Sequence, residues 1–327
     1  MEQVKQYAKP NIIVSRCLNI DHCRYDGTMI SFPLMSKINE YCNVMTVCPE
    51  MAIGLGSPRK PMRLLVDGDN YKFVITETGE DLTEIMKEYS YGHVLGLDKN
   101  EIQGAIFKSK SPSCGVDDVK LYKGDRKVNY KTSGVYARIF TNNMFNASVE
   151  TEGRLMNLII REHFFTSIFS KAEFESTTKM SDVVSFQTRN KYLLMMYDPE
   201  LQKVLGRIVA NHDHLEFEEV KEKYRECLTR LFYHPPKEGN VVNTLEHIYG
   251  YFKTKVNAME KSYFFDLMDK YRNEKIIIGE ILKVLKIWAL HYEEHYLFSQ
   301  SIFSPYPEEL VVLMDSDSKY YKEKDNR

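Results

Sequence analysis

The chain has 327 residues, of which 43% are hydrophobic and 28% charged, and its formal net charge is −2. This is the composition of a globular protein long enough for two domains, and its balanced charge gives no sequence-independent attraction to nucleic acid. The most apolar helical stretch, residues 276–290, is interrupted by Glu280, Lys283 and Lys286, which excludes a membrane span there. We therefore expect a cytoplasmic protein whose six cysteines are not paired in disulfides.

The first part of the chain alternates short strand-like runs with segments of helical periodicity. Strands are predicted at residues 12–15 and 44–47, and a buried strand at 104–107. Helices are predicted at residues 32–41, at 81–91 and from 135 onward. Because strands that alternate with helices favour a parallel sheet covered on both faces, we predict a Rossmann-like, three-layer α/β domain with a mostly parallel sheet over residues 11–145.

After the α/β domain, strand-like runs give way to long stretches of helical periodicity. Residues 217–232, for example, place Val220, Tyr224 and Leu228 on one stripe. We therefore predict a second domain over residues 150–315, an all-α helical bundle.

Three cysteines follow three of the predicted strands: Cys17, Cys48 and Cys114. Open α/β sheets bind ligands at the carboxyl ends of their strands, so we expect the three thiols to converge on one point. The third thiol lies in the segment 108–115, where two lysines, three serines, a proline and a glycine follow a strand directly.

Thiolates are soft ligands that suit zinc and iron–sulfur clusters. A closed zinc site takes four ligands, typically with a C-x-x-C pair, and no such pair occurs in this sequence. Three scattered cysteines fit a four-iron cluster with one open iron better. Their spacing alone favours three unrelated buried thiols, because free cysteine is commonly a packing residue. Ionisable and hydroxyl side chains beside each cysteine favour a functional site instead.

Three separated motifs make this part of the chain resemble the thiouracil desulfidase family. The matching segments are 15–18 with 23–27, 47–50 with 54–59, and 108–115, in the family's order. One departure is Asn19-Ile20, where many relatives carry a glycine. The rest of the chain resembles the YbgA-like helical domain, through Asn243, His247, 250–253, 260–261, Gln300 and 305–307. No chemistry is assigned to that second domain.

The resemblance implies a 4Fe–4S cluster held by Cys17, Cys48 and Cys114, with its fourth iron open to the sulfur of a thiocarbonyl. Water then attacks the carbon of the polarised C–S bond. The resemblance also implies that Glu50 and Ser111 assist, with Glu50 accepting a proton from the water. Two interpretations of Asp26 stay open. It shares the proton transfer or orients the base of the substrate, or it is only a turn residue of the Tyr-Asp-Gly segment.

The expected substrate is a small thiolated base or its nucleotide, hydrolysed without net redox change. Four residues are assigned to substrate binding: Lys108, Lys110, Ser113 and Arg24. If the substrate is a nucleotide, the two lysines face its phosphate. The alternative for the lysines is that they are solvated surface charges. We expect no membrane partner and no strong nucleic-acid contact, and leave a homo-oligomer open. Two rival functions stay open: a cluster-bearing redox sensor whose helical domain contacts a protein partner, and a module that binds thio-compounds.

Overall fold

The computed structural model describes residues 6–68 and 70–311. The chain divides into two compact units, one formed by residues up to Glu175 together with those from Tyr306, the other by Ser176–Pro305. The prediction of an α/β domain followed by a helical one is confirmed. The boundaries 11–145 and 150–315 stay predictions, because this division follows packing and keeps the helix that ends at Glu175 with the first unit.

Four parallel strands form the central sheet of the first unit. They are β1 (Asn11–Ser15), β2 (Asn43–Val47), β5 (Gly104–Phe107) and β8 (Ser148–Thr151), in the order β2-β1-β5-β8. All pairs in this sheet are parallel, so the carboxyl ends of all four strands lie along one edge. The predicted strands correspond to β1, β2 and β5.

A second sheet was not expected from the sequence. It contains β3 (Met62–Asp67), β4 (Asn70–Ile75), β6 (Val119–Lys123) and β7 (Arg126–Thr132), in the mixed order β4-β3-β6-β7. Its last two strands are rich in lysine and arginine, which hides their periodicity; only alternate residues such as Val119 and Leu121 are buried. A sheet with one solvated face alternates in this way.

Helices cover both faces of the parallel sheet. The helices of this unit are α1 (Met35–Tyr41), α2 (Pro49–Ala52), α3 (Thr83–Leu95), α4 (Val135–Asn143) and α5 (Leu158–Glu175). Strand β1 shows the layering, because Ile12 and Val14 pack in the cluster that includes Phe165 of α5. Ile13, between them, packs in the opposite cluster with Phe140 of α4. Side chains of a strand alternate between its faces, so this sheet is the middle of three layers.

All the regular secondary-structure elements described in the second unit are helices. It contains α6 (Met180–Tyr197), α7 (Pro199–Ala210), α8 (Phe217–Leu231), α9 (Glu238–Tyr249), α10 (Ala258–Arg272), α11 (Ile278–His291) and α12 (His295–Phe298). Asn257 caps α10, since its side chain accepts from two backbone N–H groups while Glu260 bonds back to the cap. Within the residues that the structure describes, no helix is long and apolar enough to cross a membrane.

Candidate active site

The ends of three parallel strands position three thiols. β1 ends two residues before Cys17, β2 ends directly before Cys48, and β5 leads into the turn that carries Cys114. Cys114 is buried, whereas Cys17 and Cys48 are half-buried. Since all three strands end at one edge of the sheet, the thiols belong to one region of the first unit.

A fourth thiol, Cys23, completes the group of cysteines. Cys23 is buried, and its backbone carbonyl lies 3.9 Å from Cys48 Sγ. Over residues 6–68 and 70–311, no three His, Cys, Asp or Glu side chains stand ready to hold one metal ion.

Burial and neighbouring thiols raise the pKa values of Cys23, Cys48 and Cys114. Burial raises the pKa of Cys114 to about 12. The neighbouring Cys17 thiol raises the pKa of Cys23 to about 11, and the neighbouring Cys23 thiol, together with burial, raises that of Cys48. A bound metal reverses this preference, because its positive charge stabilises thiolates. The donor set therefore fits a group that brings positive charge to the strand ends.

Backbone hydrogen bonds fix the turn that carries Cys114. Ser111 Oγ accepts from the backbone N–H groups of Ser113 at 3.3 Å and of Cys114 at 3.2 Å. The first turn of α4 holds the other side, because the N–H of Ala137 donates to the Ser113 carbonyl at 3.1 Å. Free N–H groups at a helix start need such acceptors.

Two glycines let this turn pack closely. A Cβ on Gly134 would lie 2.5 Å from the carbonyl carbon of Ser113 and 2.8 Å from the nitrogen of Cys114. A Cβ on Gly115 would lie 2.5 Å from Val119 and 2.6 Å from Asp118. Gly115 is therefore required for close approach, since it is not among the glycines with a positive φ.

Glu50 lies at the centre of a buried polar network next to Cys114. Its Oε1 accepts from Ser113 Oγ at 2.7 Å, and its Oε2 accepts from Arg59 Nε at 2.8 Å and also from Nη2. Ser113 Oγ lies 3.0 Å from Ser111 Oγ. Because the single hydroxyl proton of Ser113 goes to Glu50, Ser111 is the donor in its contact with Ser113. Ser111 is the half-buried end of this chain, and Glu50 and Ser113 are buried.

Arg59 ties the carboxylate to the loop after β1. Its Nη1 donates to the carbonyls of Cys23 at 2.9 Å and Gly56 at 2.7 Å. The Arg59 side chain is only 7% exposed, and that of its partner Glu50 9%. These bonds commit the Arg59 guanidinium to partners within the protein.

The two lysines of the turn have different environments. Lys108 Nζ pairs with Glu152 Oε1 at 2.6 Å and also donates to Ser109 Oγ at 3.0 Å. Glu152 is buried and accepts from the Ser109 N–H as well, at 2.7 Å. Lys110 is exposed. Lys108 therefore has an internal partner, and Lys110 is the lysine of this turn that faces solvent.

Asp26 and Arg24 form a small surface network. Asp26 accepts from Thr28 Oγ1 at 2.7 Å and pairs with Arg24 Nη1 at 3.0 Å. The hydrogen bond from Thr28, ahead of the neighbouring Arg24, holds the pKa of Asp26 below its usual range. These contacts are those of a turn aspartate, one of the two interpretations left open by the sequence.

Sequence reasoning missed Glu152 and the pairing of Arg59. Glu152 follows β8 directly, so the rule that selected the cysteines, a polar side chain just after a parallel strand, also applies to it. That strand was not recognised, because Ser148–Thr151 carries little apolar character.

Comparison with known proteins agrees with the motifs. Residues 12–152 match the family model described as 2-thiouracil desulfurase. The chain is 30% identical over 110 residues to the uncharacterized protein YbbK of Bacillus subtilis, covering 32% of this chain and 72% of YbbK. The chain belongs to the 2-thiouracil desulfurase family. Membership of this family indicates a desulfidase whose substrate is a small thiolated molecule.

The family resemblance extends to the second unit. Residues 191–307 match a model described as a protein of unknown function, DUF1722. The chain is also 24% identical over 127 residues to the uncharacterized protein YbgA of Escherichia coli, covering 38% of this chain and 75% of YbgA. The chain thus joins a 2-thiouracil desulfurase domain to a YbgA-like domain. A solved structure of the [4Fe-4S]-dependent thiouracil desulfidase TudS is 29% identical, covering 45% of this chain and 94% of that one with a TM-score of 0.35.

Proposed function

We propose that this protein hydrolyses the C–S bond of a thiolated pyrimidine base or nucleotide in the cytoplasm, without net redox change. The observation that carries the proposal is the buried Glu50 carboxylate, hydrogen-bonded to Ser113 beside Cys114 at the strand ends. A buried carboxylate is costly, and its placement beside a reactive group is typical of catalytic sites.

The cofactor in this proposal is a 4Fe–4S cluster held by Cys17, Cys48 and Cys114. The donor set supports it, because soft thiolates from three strand ends suit iron and leave one iron without a protein ligand. When bound, such a cluster supplies a Lewis acid that polarises the C–S bond. Family membership supports the same assignment.

The chain's own residues provide the proton path. The path starts at Ser111 Oγ, at the half-buried end of the network, and passes through Ser113 Oγ to Glu50 Oε1. In this order each hydroxyl gives a proton to the next oxygen, so Glu50 takes up the proton of the attacking water without contacting it directly. Arg59 keeps the carboxylate in place through two hydrogen bonds.

Substrate contacts in the proposal come from the rim of the site. Lys110 is exposed and is our candidate for a phosphate or a base oxygen. Arg24 and Asp26 pair with each other at 3.0 Å and are kept as orienting residues. For Ser113 and Lys108 we now favour supporting roles, since their polar atoms bind Glu50 and Glu152.

The test is Glu50→Gln, which keeps the shape of the side chain and removes its ability to accept the proton. We expect sulfide release from a thiolated uracil compound, measured anaerobically per bound iron, to fall at least ~10²-fold while iron content persists. Glu152→Gln is the matched control. It neutralises another buried carboxylate, one that follows a strand and is paired with the basic side chain of Lys108.

A parent-like rate in Glu50→Gln removes Glu50 from the mechanism. An equal loss in both variants means that these carboxylates act on structure rather than on proton transfer. The redox-sensor and binding-module alternatives predict that neither variant changes a rate, because those functions involve no turnover.

A further inference from the structure

One arginine at the thiol edge of the parallel sheet has no task in the proposed hydrolysis. Arg16 directly follows Ser15, the last residue of β1, and is half-buried. Within residues 6–68 and 70–311, its guanidinium has no hydrogen-bond or ion-pair partner. Arginine carries a fork of N–H donors, and shielding its charge from water is costly when nothing replaces the water. Arg16 therefore has donors available for a molecule that enters the site.

Other basic side chains near this edge are paired or exposed. Arg24 pairs with a carboxylate at 3.0 Å and Lys108 with another at 2.6 Å, and Arg59 is bonded to the catalytic carboxylate of the proposal. Lys110 is exposed to solvent. Arg16 differs from all of these, because it is partly withdrawn from solvent and has no internal partner among the described residues.

Backbone hydrogen bonds fix Arg16 between two of the residues that carry thiols. Its N–H donates to the Val47 carbonyl at 2.8 Å, and its carbonyl accepts from the Asp21 N–H at 3.0 Å. Cys17 follows Arg16 in the sequence, and Cys48 follows Val47. The backbone of Arg16 is therefore held where the ends of β1 and β2 bring two of the proposed ligands.

The strand order places Arg16 where this class of sheet binds ligands. β1 is flanked by β2 on one side and by β5 on the other, so the strand order reverses at β1. In open α/β sheets the ligand crevice lies at such a reversal, outside the carboxyl ends of the strands. Ser15 Oγ accepts from the Lys108 N–H at 3.0 Å and joins the ends of β1 and β5 there. Arg16 is the first residue beyond β1 at this reversal.

Tyr89 of α3 gives independent support for the direction of the guanidinium. Burial raises the pKa of Tyr89, the charges of Cys114 and Cys48 add to the rise, and the charge of Arg16 opposes it. The guanidinium is therefore within electrostatic range of a side chain on which two of the thiols also act.

We propose that Arg16 is a substrate-binding residue, whose guanidinium donates hydrogen bonds to the carbonyl oxygen that a thiolated pyrimidine base retains. This inference rests on the proposed function and adds a specific contact to it. The planar fork of arginine suits the planar edge of a base. The base is preferred to a phosphate because Arg16 adjoins Cys17, close to the reacting group, whereas Lys110 is the exposed cation at the rim.

The test measures sulfide release per bound iron, under anaerobic conditions, from 2-thiouracil and from its nucleoside monophosphate. In Arg16→Met we expect KM to rise ~10–100-fold for both substrates, the scale for losing a hydrogen bond from a charged donor, while kcat and iron content stay at parent values. The inhibition constant of uracil, which keeps the oxygen and lacks the sulfur, should rise by the same factor.

The matched control is Arg63→Met. Arg63 is also a half-buried arginine of the first unit, but it lies on β3 and pairs with Asp125 at 3.1 Å. Its KM and its inhibition constant for uracil should stay at parent values. An equal rise in both variants overturns the proposal, because it shows a general effect of removing a half-buried guanidinium.

Urea unfolding separates substrate binding from a structural role. Because the Arg16 guanidinium bonds to no described residue, Arg16→Met should unfold at the parent urea concentration or above it. A lower midpoint together with lost iron overturns the proposal, since the guanidinium then supports the fold. Three kinetic results also overturn it: unchanged KM and inhibition constants, a loss confined to kcat, or a loss confined to the nucleotide, which assigns Arg16 to the phosphate.

A binding measurement distinguishes this inference from the proposed function. Equilibrium dialysis of the full, iron-loaded chain against labelled uracil requires no turnover. Uracil binding that Arg16→Met loses, in a protein that releases no sulfide, refutes the proposed function and keeps the base contact. Sulfide release by the parent, with equal uracil binding in parent and variant, refutes the base contact alone. A parent that neither releases sulfide nor binds uracil refutes both.

Discussion

The two units of this protein bury polar groups of different kinds. Within the described residues of the helical unit, the buried polar side chains are all uncharged: Thr177, Asn190, Thr244, Gln300 and Ser301. The α/β unit also buries charged ones: Glu50, Glu152, Arg161 and Lys171. Burying a charge costs far more than burying an amide or a hydroxyl, so a buried charge calls for a compensating interaction or a function.

The uncharged groups of the helical unit connect chain segments. Gln300 Nε2 donates to the Thr188 carbonyl of α6 at 2.9 Å, and the Ser301 hydroxyl donates to Asn190. Both bonds join α6 to a segment more than a hundred residues further along the chain. Such bonds specify packing. The paired carboxylates of the α/β unit instead follow strand ends, which is where chemistry is built in this class of fold.

Cysteine substitutions should give the largest difference between the two units in iron content and activity. Cys48→Ser removes a proposed ligand, so iron content and sulfide release should both be lost. Cys227→Ser, in α8 of the helical unit, should keep both. Iron is measured by a colorimetric assay after anaerobic reconstitution. A fully loaded Cys48→Ser protein would contradict the ligand assignment.

The next largest effect concerns the buried ion pair. Arg59→Met leaves Glu50 with an uncompensated charge, so the free energy of unfolding should fall by about 3–5 kcal/mol. Combining it with Glu50→Gln should recover a large part of that loss, because the charge is then gone. Urea unfolding followed by circular dichroism measures both. If the double variant is no more stable than Arg59→Met, the loss comes from packing or from the carbonyl contacts of Arg59.

Lys171 in α5 gives the pH-dependent prediction. Burial lowers the pKa of its amine from 10.5 to about 7, while Nζ donates to the Asn146 carbonyl at 2.8 Å and to Ser148 Oγ at 3.0 Å. Between those two pKa values the unfolded chain binds more protons than the folded one. The free energy of unfolding should therefore rise as pH increases from about 7 to 10, by up to about 1.4 kcal/mol per pH unit from this group.

Lys171→Met should remove that contribution, and so flatten the dependence of unfolding free energy on pH relative to the parent. Urea midpoints across this pH range measure the slope. Parallel curves for parent and variant would mean that Lys171 stays charged when folded. The helical unit buries no such amine among its described residues, so it offers no counterpart.

The smallest effect is expected at a helix cap of the helical unit. Asn257→Ala removes the acceptor of two backbone N–H groups at the start of α10 and should cost about 1 kcal/mol. The protein's one tryptophan, Trp288 in α11, reports on unfolding of this unit by fluorescence. Asn273→Ala, at the other end of α10, is the control and should cost less. Equal costs would mean that capping is not the cause.

Sequence alone predicted the parallel sheet and its thiols because β1 and β5 are buried apolar runs, and because β2, a partly exposed edge strand, is rich in β-branched residues. It did not predict β6 and β7, since their exposed lysines conceal the alternation. The carboxylate partners of Arg59 and Lys108 could not be predicted from the sequence for another reason. Each pairs with a carboxylate brought close by loop geometry or by an unrecognised strand, and no local pattern encodes such a pairing.

The close contact between Gly134 and the Cys114 turn affects how mutational data on this protein should be interpreted. Position 134 has no side chain and cannot bind substrate or transfer a proton. Even an alanine there would force the Ser113–Cys114 peptide to move, since no space for a methyl group exists on that side. In a saturation scan scored by activity, position 134 would therefore rank with the cysteines. A high score in such a scan identifies residues that hold the active-site backbone as readily as residues that react.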